Sequence, residues 1–227
     1  MNKASSERRD QRILEHIARF RLSTVESIQA VLLRNLSLNA IRKIVRRLCA
    51  DRLLQKFQLK HPREYLILGD RGARRLGLGQ HRSAPLGPQA LPLDYAILVY
   101  ATLGHTPRLR LTTDEVRHRC PWLPEALIKT PHCMDASQTL ELIRVDLGGP
   151  ADHVARKCAI DISKRCRVPE FPALVASPLF RLVVITATDG KSAAIQKACA
   201  RHDWPNGLTM HFATVSKLLS SGGSHHA

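Results

Sequence analysis

At 227 residues, 44% of them hydrophobic, the chain holds enough apolar material for two modest domains or one larger one. No run approaches the ~18 apolar residues of a membrane span, and residues 1–10 lack the apolar core of a secretory signal, which implies an intracellular, cytoplasmic protein with no membrane partner. The net charge of +16 is unevenly placed: residues 1–80 hold 18 Lys and Arg against 7 Asp and Glu, whereas residues 81–227 hold 17 against 12. Positive charge so concentrated draws polyanions and speeds encounter with nucleic acid or an acidic surface.

The pattern predicts a first helix from near Ser6 to about Phe20, with Ile13, Leu14, Ile17 and Phe20 as its core stripe. Ser23-Thr-Val-Glu26 has the form of a capping box, opening a second helix that carries Val25, Ile28 and Leu32. Arg34-Asn-Leu makes a turn, and Ser37 caps a third helix over residues 38–49. At about 100° per residue, Leu38, Ile41, Ile44, Val45 and Leu48 fall on one side of it, and Asn39, Arg42, Lys43, Arg46 and Arg47 on the other. Two strands follow, 53–57 and 64–68, joined by the polar turn Lys60-His61-Pro62-Arg63. Asp70 is expected to cap a short helix over 71–76. Helix, tight turn, basic-faced helix and hairpin make the outline of a winged helix-turn-helix over residues 1–76.

Residues 77–93, broken by Gly and Pro, read as a linker. Beyond it, residues 94–219 alternate helix and strand: helices after Asp94 and after Thr112 or Thr113, a strand over 139–147, a helix over 152–166, a buried strand over 180–187, a helix over 192–202, a strand over 208–212 and a last helical turn over 214–219. The fold class is therefore mixed α+β, with a disordered tail at 220–227. Six cysteines show no C-x-x-C spacing, and Cys49, Cys158 and Cys199 sit in apolar helical patterns as small hydrophobes. His118, Cys120, His132 and Cys133 match no standard zinc spacing, and no phosphate-binding glycine loop occurs.

Three segments, residues 10–26, Val45-Arg-Arg-Leu-Cys-Ala-Asp-Arg-Leu-Leu54 and Tyr65-Leu-Ile-Leu-Gly-Asp-Arg-Gly-Ala-Arg-Arg-Leu-Gly77, resemble the replication-relaxation family, winged-helix proteins of plasmids and integrated conjugative elements. Some relatives in that family are relaxases or mobilisation proteins. The resemblance implies a second domain of restriction-endonuclease-like fold, in which a turn aspartate and acids on the next strand hold a metal. Asp135 would match the turn aspartate and Asp146 the second strand acid, but Arg144 stands where the first acid belongs. An arginine inside a carboxylate cluster repels the cation such chemistry needs. Arg144 and Asp146, two apart on a strand, are expected to share a face and pair with each other. A degenerate, inactive scaffold with no metal cofactor is the reading that follows. No relaxase nucleophile stands out, since Tyr65 falls in a strand and Tyr95 and Tyr100 on an apolar helix.

These residues together point to a sequence-selective double-stranded DNA-binding protein, a homodimer acting as a regulatory or accessory factor in replication, transfer or transcription of a mobile element. Asn39, Arg42 and Lys43 are the expected base readers, with Arg46, Arg47, Lys60, His61 and Arg63 on phosphates. The competing reading is a Mg²⁺-dependent nuclease or nickase with Asp135, Glu141 and Asp146 as ligands and Lys157 as a charge stabiliser. A third is a protein–protein adaptor whose basic helix meets an acidic partner, within a transfer or replication complex.

Overall fold

The computed structural model describes residues 3–60 and 63–215. The fold is mixed α and β, and the chain divides into two compact units after Leu103.

In the first unit, α1 (Lys3–Phe20), α2 (Val25–Val31) and α3 (Leu38–Ala50) precede an antiparallel hairpin of β1 (Leu54–Lys60) and β2 (Arg63–Leu68), then α4 (Asp70–Arg75) and α5 (Ala90–Thr102). The apolar stripes meet in one core of Ile13, Leu14, Ile17, Ile28, Ile41, Val45, Leu48, Leu54, Leu66 and Leu68. Each of these aliphatic side chains stabilises the unit by about 1.5–3 kcal/mol once fully buried.

Two expected caps shift by one residue. Thr24, not Ser23, caps α2, its hydroxyl accepting from the Ser27 amide. Ser23 instead pairs with Leu66 through two backbone hydrogen bonds of 2.9 and 2.8 Å, so the chain between α1 and α2 lies against the hairpin as a third, single-residue strand. Gly69, not Asp70, holds the cap position of α4. A Cβ on Gly69 or Gly72 would collide with the backbone of Arg52 or Leu53, so two glycines let α4 close directly onto the turn that follows α3.

The segment 77–93 is no linker between units. Leu78 packs on the first core, a 3₁₀ turn spans Gln80–Ser83, the Arg82 guanidinium donates to the Ala18 carbonyl, and Gln55 donates to the Ser83 carbonyl at 3.3 Å. The helix expected to open the second domain, α5, belongs to the first unit. Thr102 donates to the Ser27 hydroxyl at 3.0 Å, and Arg21 lies 3.7 Å from Asp94, which is buried in the body of α5 and does not cap it. Broken periodicity marks a loop but says nothing of what the loop leans on.

The second unit is a five-stranded sheet ordered β3 (Arg108–Arg110), β4 (His132–Asp135), β5 (Leu140–Val145), β6 (Phe180–Thr186) and β7 (Thr209–Thr214). β3, β4 and β5 form an antiparallel meander, while β5, β6 and β7 run parallel. The helices α6 (Thr113–Arg119), α7 (Glu125–Ile128), α8 (Ala151–Cys166), α9 (Phe171–Ala176) and α10 (Asp189–Cys199) bury the sheet face bearing Leu140, Leu142, Leu182, Val184, Met210 and Phe212. Parallel neighbours need long crossovers, which α8, α9 and α10 provide. Short β3, β4, α7 and α9 carry too few residues to show a period and were not expected. Thr112 and Glu115 close a full capping box on α6. Residue 214 ends β7 and does not open a helical turn; the rest of that expected turn and the tail lie outside the described residues, as does His61.

Candidate nucleic-acid interface

Ser37, extended at φ −68° and ψ 153°, accepts from the Ala40 amide at 3.2 Å and fixes where α3 starts. From that start the helical turn sends Ile41, Val45 and Leu48 into the core and leaves Asn39, Arg42, Lys43, Arg46 and Arg47 exposed, as the pattern requires. The five exposed side chains are not equivalent. Arg42 donates to the Asn39 side-chain oxygen at 3.0 Å, so these two polar groups hold each other on the outer face one turn apart. Lys43 and Arg46 form no ion pair among the described residues. Arg47 is bound at 2.6 Å to Asp10 of α1 and at 3.5 Å to Asp51, which answers its charge within the fold.

Arg63 stands exposed at the root of β2, beside the hairpin tip. Lys60 ends β1, and its side chain lies outside the described residues. On the same hairpin Lys56 pairs with Glu64 at 2.9 Å, and Phe57 stacks on Tyr65 with centroids 5.7 Å apart. Burial raises the Tyr65 phenol above its ordinary range, the opposite of what an activated nucleophile needs. Tyr95 and Tyr100 are buried on α5, and burial raises the Tyr95 phenol as well.

Among the exposed arginines of this unit to which the sequence assigns no role are Arg52, Arg71, Arg74 and Arg75. Residues 71, 74 and 75 have the i, i+3, i+4 spacing of one helix face, so the signal was present in the segment Asp70-Arg-Gly-Ala-Arg-Arg75.

The acidic residues considered as metal ligands are arranged differently. Glu141 is fully buried, and Arg108 Nε donates to both of its oxygens at 2.9 and 3.2 Å, with Arg181 at 3.4 Å. Asp135 accepts the amides of Ser137 and Thr139 at 2.8 and 3.0 Å, and Arg181 lies 3.9 Å from its other oxygen. Asp146 lies past the end of β5, where it accepts from the Gly148 amide at 3.0 Å; five residues of strand separate it from Glu141 by about 16 Å. The expected Arg144–Asp146 pair does not form. Arg144 faces the helix-covered side and binds Asp161 of α8 at 2.5 Å, because that carboxylate rises from the packed helix toward the strand. Lys157 is exposed on α8. Two arginines occupy the space a divalent cation would need between Asp135 and Glu141, so these side chains do not fit a shared Mg²⁺.

His132 and Cys133 occupy successive strand positions and face opposite ways. Burial, reinforced by Arg165, holds the His132 imidazole down at about 3, and burial pushes the Cys133 thiol up to about 12. Because the ring and the protonated thiol lie on opposite faces of the strand, they do not converge on one ion.

Comparison with family models, with curated proteins and with solved structures finds no match to this chain.

Proposed function

We propose that the first unit is a winged helix-turn-helix that binds double-stranded DNA with sequence preference, α3 lying in a major groove and the β1–β2 hairpin acting as the wing. The observation that carries the reading is the outer face of α3. It presents an Asn39–Arg42 couple beside two cations, Lys43 and Arg46, that no carboxylate of the described residues neutralises. The core of a protein–protein patch is depleted of charged side chains, whereas four of the five side chains exposed on this face are cationic. Asn suits the adenine edge and Arg the guanine edge, each good pair contributing about 1–3 kcal/mol of discrimination. Arg46 and Arg63 then meet phosphates, which fix register without reading sequence.

The second unit, in this reading, is a restriction-endonuclease-like scaffold without metal chemistry, its acids held by Arg108, Arg181 and backbone amides. It serves a dimer or a partner in a regulatory, replication or transfer complex of a mobile element, as the family resemblance suggests.

Selection of bound fragments from random duplex, followed by gel-shift titration, tests the assignment. Arg46→Ala is expected to weaken all duplexes alike and flatten the salt slope by about 0.9. Arg42→Ala is expected to erode the preference between selected and random sites by about 1–3 kcal/mol. If the unaltered protein binds no duplex at low salt, the reading fails.

A further inference from the structure

The basic surface of the first unit does not stop at α3. Asp51 and Arg52 follow its last turn, and α4 is seated against that turn through Gly69 and Gly72, with the Gly69 amide donating to the Leu53 carbonyl at 2.9 Å and the Arg71 amide to the Arg52 carbonyl at 3.2 Å. This contact fixes α4 to the carboxyl end of α3, about 17 Å along the helix axis from the amino end where Asn39 stands.

The arginines there are held mostly by neutral acceptors. Arg71 donates to the Asp51 carbonyl at 3.2 Å, and Arg75 donates to the Gln11 side chain of α1 at 3.0 Å. Arg8, about one turn before Gln11, is exposed beside it. None of these three forms an ion pair among the described residues. Arg52 and Arg74 share one carboxylate, Asp70, at 2.7 and 3.2 Å, and backbone and arginine contacts hold that carboxyl below its ordinary range. Arg52, Arg71 and Arg74 therefore meet at the junction of α3 and α4, with Arg75 and Arg8 beside Gln11 of α1, and these five exposed guanidiniums outnumber the carboxylates near them: Asp70, Asp51 (paired with Arg47) and Glu15 (accepting from Gln11). Neutral acceptors orient a guanidinium without cancelling its charge, which leaves it set to bind a second, anionic group in the fork geometry that suits phosphate.

We propose that α4, with Arg8 and Arg52, is a second phosphodiester-binding surface, one that grips the duplex backbone beyond the segment read by α3. The proposal rests on the DNA-binding reading of α3 and extends its footprint. The surface reads no bases. It adds affinity, salt dependence and a requirement for duplex length.

Two duplexes test it, a hairpin-closed one of about 10 base pairs centred on the selected site and one of about 30 base pairs with the same centre. In the full chain, the triple change Arg71→Gln, Arg74→Gln, Arg75→Gln is expected to leave binding of the short duplex within twofold. On the long duplex it should lower the salt slope by about 2.7, so that the loss of affinity between about 50 and 200 mM salt shrinks roughly 40-fold. Asp70→Asn, which frees Arg52 and Arg74, should tighten the long duplex. A misfolded variant would not give that gain, and the arginine-to-lysine triple should restore the salt slope. Unchanged binding of the long duplex by both the glutamine triple and Asp70→Asn overturns the proposal while leaving α3 as the reading element. Equal losses on both lengths overturn it too, because they would put these arginines inside the site that α3 reads. Failure of the unaltered protein to bind either duplex would instead remove the reading on which the proposal stands.

Discussion

Some arginines of the first unit and some of the second are used in opposite ways, although the first unit also pairs Arg47, Arg52 and Arg74 with its own carboxylates. In the first, Arg42, Arg71 and Arg75 stand outward on helices and meet neutral acceptors, and Arg46 forms no ion pair among the described residues. In the second, Arg108 and Arg181 close on Glu141, Arg144 and Arg165 close on Asp161, and Arg117 bridges Asp114 and Glu125 at 2.5 and 2.9 Å. One set keeps its charge at the surface. The other is internal structure. The same residue type, and even the same local charge density, carries either meaning, and what decides between them is whether a carboxylate lies within reach.

The sharpest way to break that contrast is to remove the acid shared by the buried pair. Arg165 is almost fully buried and also donates to Thr130 at 2.5 Å and to the Leu127 carbonyl at 3.2 Å. Asp161→Ala leaves Arg165 and Arg144 without their carboxylate, and a stability loss of about 3–5 kcal/mol is expected in urea unfolding of the second unit. A loss below about 1 kcal/mol would show that the pair is no more structural than a surface contact.

His16 probes the first core in the same way. It is buried against Ser23, its ring nitrogen 3.0 Å from the hydroxyl, and burial followed by Arg19 lowers it from the ordinary 6.5 to about 4. The unfolded chain takes up the proton first as pH falls. Stability is thus complete above pH 6.5 and declines toward pH 4 by up to about 3 kcal/mol. Thermal unfolding from pH 7 to pH 4 should show this decline, and His16→Gln should remove about one proton from the slope. An unchanged slope would mean that His16 already titrates normally in the fold.

Smaller effects separate the two sides of α3. Ser37→Ala removes the acceptor of the Ala40 amide and should cost about 1 kcal/mol of stability. Arg46→Ala, on the open side, should change stability by no more than ~0.5 kcal/mol while lowering duplex affinity. A larger loss of stability in Arg46→Ala would place that side chain among the structural arginines.

Much of the first unit was legible because its signals are local. The 3.6-residue period of α1 and α3, the Ser37 cap and the two strands of the hairpin each depend on residues a few positions apart. The capping shift from Ser23 to Thr24 was not legible, because it depends on Leu66, more than forty residues away, recruiting Ser23 into a bridge. In the second unit the alternation of β5, α8, β6 and α10 could be read. The partner of Arg144 could not: parity along β5 suggested Asp146, and only the packing of α8 brings up Asp161.

The sequence by itself determined the amphipathic helices, the basic bias of the first 80 residues and the succession β5, α8, β6, α10, β7, since periodicity and composition act over short range. Tertiary structure alone decided where α5 belongs, that residues 77–93 are part of the first unit with Leu78 on its core, and which cations are spent on internal carboxylates. The reason is physical. A charge is neutralised by whatever lies within a few ångströms of it, and that neighbour is chosen by the packing of elements far apart in the chain.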